Sequence, residues 1–250
     1  MKIFSSIYNK ATCLGWSNET LHEIRRSSVA LLDQAFIAGG LYLVNITVAR
    51  QSSYDEYGKF LLYYSFFNLF IVLHAIFVLE PLMLAVRVEG CAGVDFKHFE
   101  AVHIFVYRWA LVLVGVGWAL SIYLPQLSRI VAFGFGTSSF ILNSGFRKSY
   151  FYQNRFTECI FDGIFAFGFL VVLCVLSGRL FQASVDRSFM FIGVAGCVRY
   201  AWKVISLQNV GLIRSLLHAS RGSLNKRLRY SISVLPIFGM FWLSNNLLYI

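Results

Sequence analysis

The sequence predicts an all-α, polytopic helical bundle lying in a membrane, and three observations predict it. The chain of 250 residues is 58% hydrophobic and only 14% charged, with a mean hydropathy of +0.65, whereas a soluble domain of this size needs far more charged surface. Apolar stretches recur at spanning length, since about twenty helical residues reach roughly 30 Å, the thickness of the hydrocarbon core. Between them, positive charge is strongly asymmetric.

Seven apolar segments follow in order: Ser28–Val48, Phe60–Leu84, Val102–Tyr123, Leu127–Phe146, Glu158–Gly178, Ser188–Gln208 and Ser231–Ile250. The first runs through Ala49-Arg50 and a short polar loop into the second, forming a transmembrane hairpin with Asp33 and Gln34 inside its first helix. Residues 1–27 are too polar for a secretory signal, because Ser5, Ser6, Asn9 and Lys10 interrupt the only apolar run. They read as a cytoplasmic amino-terminal tail with a short interfacial helix using Ile3, Phe4 and Ile7. Residues 28–250 read as one transmembrane helical bundle. Three prolines suit long helices, and nineteen glycines suit close helix approach in lipid.

Loop charges predict the orientation. With the amino terminus inside, fourteen cations face the cytoplasm: Lys2, Lys10, Arg25, Arg26, Arg87, Lys97, Arg147, Lys148, Arg155, Arg214, Arg221, Lys226, Arg227 and Arg229. Five face out: Arg50, Lys59, Arg129, Arg179 and Arg187. The bias follows the positive-inside rule with seven crossings. It also accounts for the net charge of +10 as cytoplasmic loops held against anionic head groups. A nucleic-acid face would need a basic stripe with aromatics on a soluble module, and none is present.

Catalytic signatures are absent, so no enzymatic activity or cofactor is expected. Cys13, Cys91, Cys159, Cys174 and Cys197 contain no C-x-x-C, and most fall in or beside spans, where a small buried hydrophobe is the expected role. No disulfide is expected. His98 and His103 lie five apart, on different helix faces, which does not make a zinc site. Gly115/Gly117 and Gly134/Gly136 have no strand before them and read as packing glycines, not phosphate cradles.

What remains as chemistry is the set of ionisable residues at membrane depth, where charge is costly and usually faces a protein-lined cavity. Asp33, Glu80, Arg108, Glu158, Asp162, Arg199 and Lys203 all map to the cytoplasmic half, while Asn45, Ser65, Asn68 and Asn143 are assigned to the outer half. Gly196, Arg199, Lys203 and Ser206 recur at three and four, so both cations share one helical stripe; Gln34, Ala38, Leu41 and Asn45 do the same on helix 1. Two explanations stay open. Either the charges neutralise one another, Asp33 or Asp162 with Arg108 or Arg199, or the two cations on one stripe receive something anionic.

The run Ser27-Ser28-Val29-Ala30-Leu31-Leu32-Asp33-Gln34-Ala35-Phe36, then Asn45 to Arg50, then Asp55-Glu56-Tyr57-Gly58-Lys59-Phe60, resembles the first hairpin of the polysaccharide-export flippases, within the multidrug/oligosaccharidyl-lipid/polysaccharide exporter superfamily. Leu79-Glu80-Pro81-Leu82 and Arg147-Lys148-Ser149-Tyr150-Phe151-Tyr152, leading to Arg155 and Asp162, also look like that family. The resemblance covers most of residues 25 to 210. It implies a transporter of two lobes, of which this chain is expected to supply the amino-terminal one as a truncated or half-size form, alone or paired with a second lobe or copy. It further implies a bacterial cytoplasmic (inner) membrane protein that moves a lipid-linked oligosaccharide, a precursor of surface polysaccharide or lipopolysaccharide. On that reading Arg199, Lys203 and Arg108 bind the phosphate, and Asp33, Gln34, Asn45 and Asn68 hydrogen-bond the sugar. Glu80 and Asp162 serve ion coupling or charge balance.

Two other classes remain. A membrane-embedded glycosyltransferase or polysaccharide polymerase also has many helices, yet the longest connections, Ala85–Ala101 and Asn209–Tyr230, carry no convincing acid–base pair beyond Asp95 and Glu100. A seven-helix receptor or non-transporting scaffold fits the crossing number, with its amino terminus normally on the other side.

Overall fold

The computed structural model describes residues 18–80, 96–180 and 184–201, and every regular element among them is helical. In chain order these are α1 (Asn18–Gln51), α2 (Tyr54–His74), α3 (Phe96–Ser121), α4 (Leu127–Tyr152), α5 (Phe156–Leu180) and α6 (Val185–Cys197). α2 continues through a π-helical turn, Ala75–Leu79, and α6 ends in a 3-10 turn, Val198–Tyr200. Expectations for the amino-terminal segment 1–17, for the seventh segment Ser231–Ile250 and for Lys203 lie outside the described residues.

The chain reverses where local chemistry favours it. Ser53 caps α2 by accepting from the Glu56 backbone N–H, with Asp55 and Glu56 in the first turn, where carboxylates complement the helix dipole. Ser184 caps α6 in the same way, accepting from Arg187 N. Between α4 and α5, Asn154 takes a left-handed φ of 58°, which asparagine tolerates better than most residues, and Arg155 N closes back onto Tyr150 O at 2.9 Å. Short connections of this kind make neighbouring helices antiparallel.

α4 is the centre of the bundle, packed against α2, α3, α5 and α6, while α1 lies mainly along α5. Two apolar clusters hold the two ends. One gathers Val44, Val48, Phe60, Phe67, Phe189 and Ile192, with the Phe189 ring met by Phe60, Phe67 and Phe133. The other gathers Val29, Ile104, Tyr107, Leu142, Phe146 and Tyr200. Close approach of α4 and α6 depends on Gly196, where a Cβ would lie 2.8 Å from the Ser139 carbonyl oxygen. Of the four glycines expected to serve packing, Gly117 and Gly136 abut a neighbour, while a Cβ on Gly115 or Gly134 would meet nothing within 4 Å.

Four described stretches are long and apolar enough to cross a membrane: Glu23–Gln51, Tyr54–Leu79, His103–Ser121 and Phe156–Leu176. They are fewer than the seven expected, for a physical reason in two cases. α6 has only 13 residues before its helix tightens. α4 is rich in Ser, Thr, Asn and Gly because its partners are other helices, and its polar side chains are buried among them. The large apolar side chains left uncovered belong to the flanks, such as Trp109, Leu113 and Val116 on α3 and Phe161, Val172 and Val175 on α5. Helix ends also differ from expectation: α1 starts at Asn18 instead of Ser28, and α4 runs on to Tyr152 instead of stopping at Phe146.

Candidate functional site

The extension of α4 brings a residue assigned to a loop into the interior. Arg147 is only 3% exposed. Its Nε donates to Asp33 Oδ1 at 2.8 Å, and its Nη2 donates both to that carboxylate and to the Asp33 carbonyl at 3.1 Å. Cys159 on α5 donates its thiol to the same oxygen at 3.4 Å. Three helices therefore meet on one carboxylate. Asp33, from the Asp-Gln of α1, is the counter-ion of Arg147, neither of the two cations that spacing had offered it.

One turn along α5, Asp162 is fully buried and accepts a hydrogen bond from Tyr200 at the end of α6. The Tyr200 ring stacks on Phe146, 4.4 Å between centroids, which ties that bond to α4. Asp162 is thus held between helices by a phenol.

Beside the ion pair, α1, α4, α5 and α6 line a narrow cleft of about 30 Å³, room for about one water molecule. Phe36, Phe140, Phe167 and Ile192 make its walls, and Arg147 and Asn143 supply its polar atoms. Asn143 lies one turn from Arg147 on α4, at the end of the bundle that holds Asp33, and not in the half assigned to Asn45. The cleft sets a guanidinium and an amide in apolar surroundings, with room for a water-sized polar group.

The remaining expected site residues are dispersed. Gln34 is exposed on α1, while Asn68 on α2, Arg108 on α3 and Glu80 after the π turn are half-buried. Asn45 accepts from Tyr57 Oη at 3.1 Å, fastening α1 to α2 near their shared loop. Arg199 occupies the 3-10 turn that ends α6, and Lys203 lies beyond the described residues.

At the loop end, charges that spacing did not single out form a clasp. Arg129 on α4 pairs with Glu56 on α2 at 2.9 Å and with Asp186 on α6 at 3.7 Å, while Ser128 donates to Asp186 at 2.8 Å. At the opposite end, Arg25 and Arg26 of α1 lie over the rings of Phe156 and Phe151, at 5.3 and 5.4 Å. There Arg155 pairs with Glu158, which raises its already high pKa.

The main site residue missed from the sequence is Arg147. The signal for it was present: Gly136, Phe140, Asn143 and Arg147 recur at three and four, continuing the helical period past Phe146. No family model, no curated protein and no solved structure matches this chain.

Proposed function

We propose that this bundle is one lobe of a flippase that carries an anionic lipid-linked oligosaccharide across the bacterial cytoplasmic membrane, with its amino terminus inside. The observation that carries the reading is the meeting of Asp33 with Arg147. These residues belong to two separate stretches on which the flippase resemblance rests, 114 positions apart, and they form one buried pair. Ionisable groups kept at membrane depth are expensive, which favours a transport role over a passive bundle.

On this reading α4 and α6 cross with the four apolar helices, sheltered by them, and a seventh crossing follows. Arg199, Lys203 and Arg108 receive the phosphate. Arg147 holds Asp33 beside the cleft, and Glu80 and Asp162 balance charge. The sugar cannot cross hydrocarbon unaided, so re-exposure on the far side comes from rocking against a second lobe, in the same polypeptide or another.

The test is stabilisation by ligand, which does not require a complete transport cycle. Purified protein in nanodiscs is heated with a polyprenyl-diphosphate oligosaccharide or with the corresponding phosphate-free polyprenol. A ligand at a hundred times its dissociation constant stabilises by about 2.7 kcal/mol. The diphosphate lipid should protect and the polyprenol should not, and Arg199→Gln with Lys203→Gln should remove the protection while the protein stays folded. Equal protection by both lipids would exclude phosphate recognition.

A further inference from the structure

A pair of histidines at the junction of α2, α3 and α4 has no part in the charge map above. His74, the last residue of α2, and His103 on α3 face each other with their Nε2 atoms 3.0 Å apart and their ring planes at 87°. At that distance one nitrogen donates and the other accepts, so the two rings are opposite tautomers. The donor ring keeps a bare Nδ1. A proton added there leaves the bond intact and makes it charge-assisted, whereas a proton on the accepting Nε2 sets two N–H groups face to face. The pair therefore has room for one more proton and resists a second.

Two features of the surroundings are shaped to it. The π-helical turn Ala75–Leu79 begins at the residue after His74, and single π turns of this kind are concentrated at functional sites. On α4, Gly145 leaves the space that His103 fills, since a Cβ there would lie 2.4 Å from its Cδ2 and 2.7 Å from its Nε2. Three helices are thus fitted to two imidazoles.

We infer that His74 and His103 form a proton-binding site that couples uptake of one proton to movement of the α2 π turn against α3 and α4. At high pH the pair is neutral and the three helices are held by one N–H···N bond. When the pair takes up a proton, a positive charge enters the junction. The groups around it on its elements are Glu80 after the π turn, Glu100 and Tyr107 on α3, each one turn from His103, and Lys148 and Arg147 on α4. Arg147 is taken by Asp33 and Tyr107 is hydrogen-bonded to Ser139 at 2.8 Å. Glu100 accepts from Ser149 on α4 at 2.9 Å and from Gln153, just past its end, at 3.5 Å. One turn from His103 on the same helix, it would be drawn towards the new charge, and turning that way would loosen its hold on α4. The inference goes beyond the flippase reading and holds whatever the bundle carries.

The test uses the intact chain in nanodiscs, with 15N-labelled histidine and a fluorinated phenylalanine at Phe77, an exposed position of the π turn. At neutral pH a nitrogen–nitrogen coupling across the His74–His103 bond is expected in the unsubstituted protein. Its absence overturns the pairing without any substitution that threatens folding. On acidification the 19F signal of Phe77 should shift with the same midpoint as the first protonation of the pair. In His103→Gln, checked for folding by its unchanged elution, that shift should vanish. A Phe77 signal that stays fixed while the pair titrates, or a shift that persists in His103→Gln, overturns the coupling and leaves the phosphate-binding reading untouched.

Discussion

Removing one partner of the Asp33–Arg147 pair isolates the other in the interior, and that asymmetry makes the pair testable. Arg147→Ala leaves a carboxylate that is 5% exposed without its cation, a penalty of about 3–5 kcal/mol. Chemical unfolding in detergent should show a loss of that size, and the doubly neutral Asp33→Asn, Arg147→Gln should recover most of it. Failure of the double variant to recover would mean that Arg147 answers more than Asp33. A smaller effect is expected where a neutral donor serves a buried acid. Tyr200→Phe removes the hydroxyl from Asp162 but keeps the stack on Phe146, so it should cost about 1–3 kcal/mol. Cost near zero in the same unfolding assay would show that the carboxylate re-solvates.

At the scale of elements, α4 and α6 are held together by the absence of side chains as much as by their presence. In Gly196→Ala the new methyl meets the backbone of Ser139, which has no flexible end to move aside, so the two helices must separate. Gly134→Ala, on α4, has open space around the new methyl and gains helix propensity, roughly 1 kcal/mol. The expected order of thermal stability is therefore Gly134→Ala at or above the unsubstituted protein and Gly196→Ala well below it. The reverse order would exclude the close α4–α6 contact. Much of the element level was legible in the sequence, since the hydropathic period located all six described helices. The end of α4 was not legible by that measure. A helix wrapped by helices has no lipid-facing stripe, and Arg147-Lys148 reads as loop charge unless the helical period Gly136, Phe140, Asn143, Arg147 is followed past Phe146.

For the whole molecule, the up-and-down order sets which loops share a side. The α1–α2, α3–α4 and α5–α6 connections converge, as the Arg129, Glu56 and Asp186 clasp requires, and the α4–α5 turn lies at the other end. Cysteines introduced at Ser53, Ser128 and Ser184 should thus behave alike towards a membrane-impermeant thiol reagent, and one at Asn154 should behave oppositely. With the amino terminus inside, the first three are labelled in intact cells and Asn154 is not. Mixed labelling among the first three would overturn the order of helices, and uniform inversion would overturn only the orientation read from loop charge.

By itself the sequence determined the class: all-helical, long apolar segments, short reversals and a polar cargo that includes Asp33 and Asp162. These follow from local quantities, because hydropathy, cap residues and helical period are carried by each stretch of chain. Partner choice is not local. That Asp33 meets Arg147, that Asp162 meets Tyr200 and that His74 meets His103 depends on which helix faces are brought together, across 114, 38 and 29 residues. Only tertiary packing decides this, since a buried charge or imidazole takes whichever complementary group the fold sets within reach. Spacing along one helix cannot show the group that waits on another.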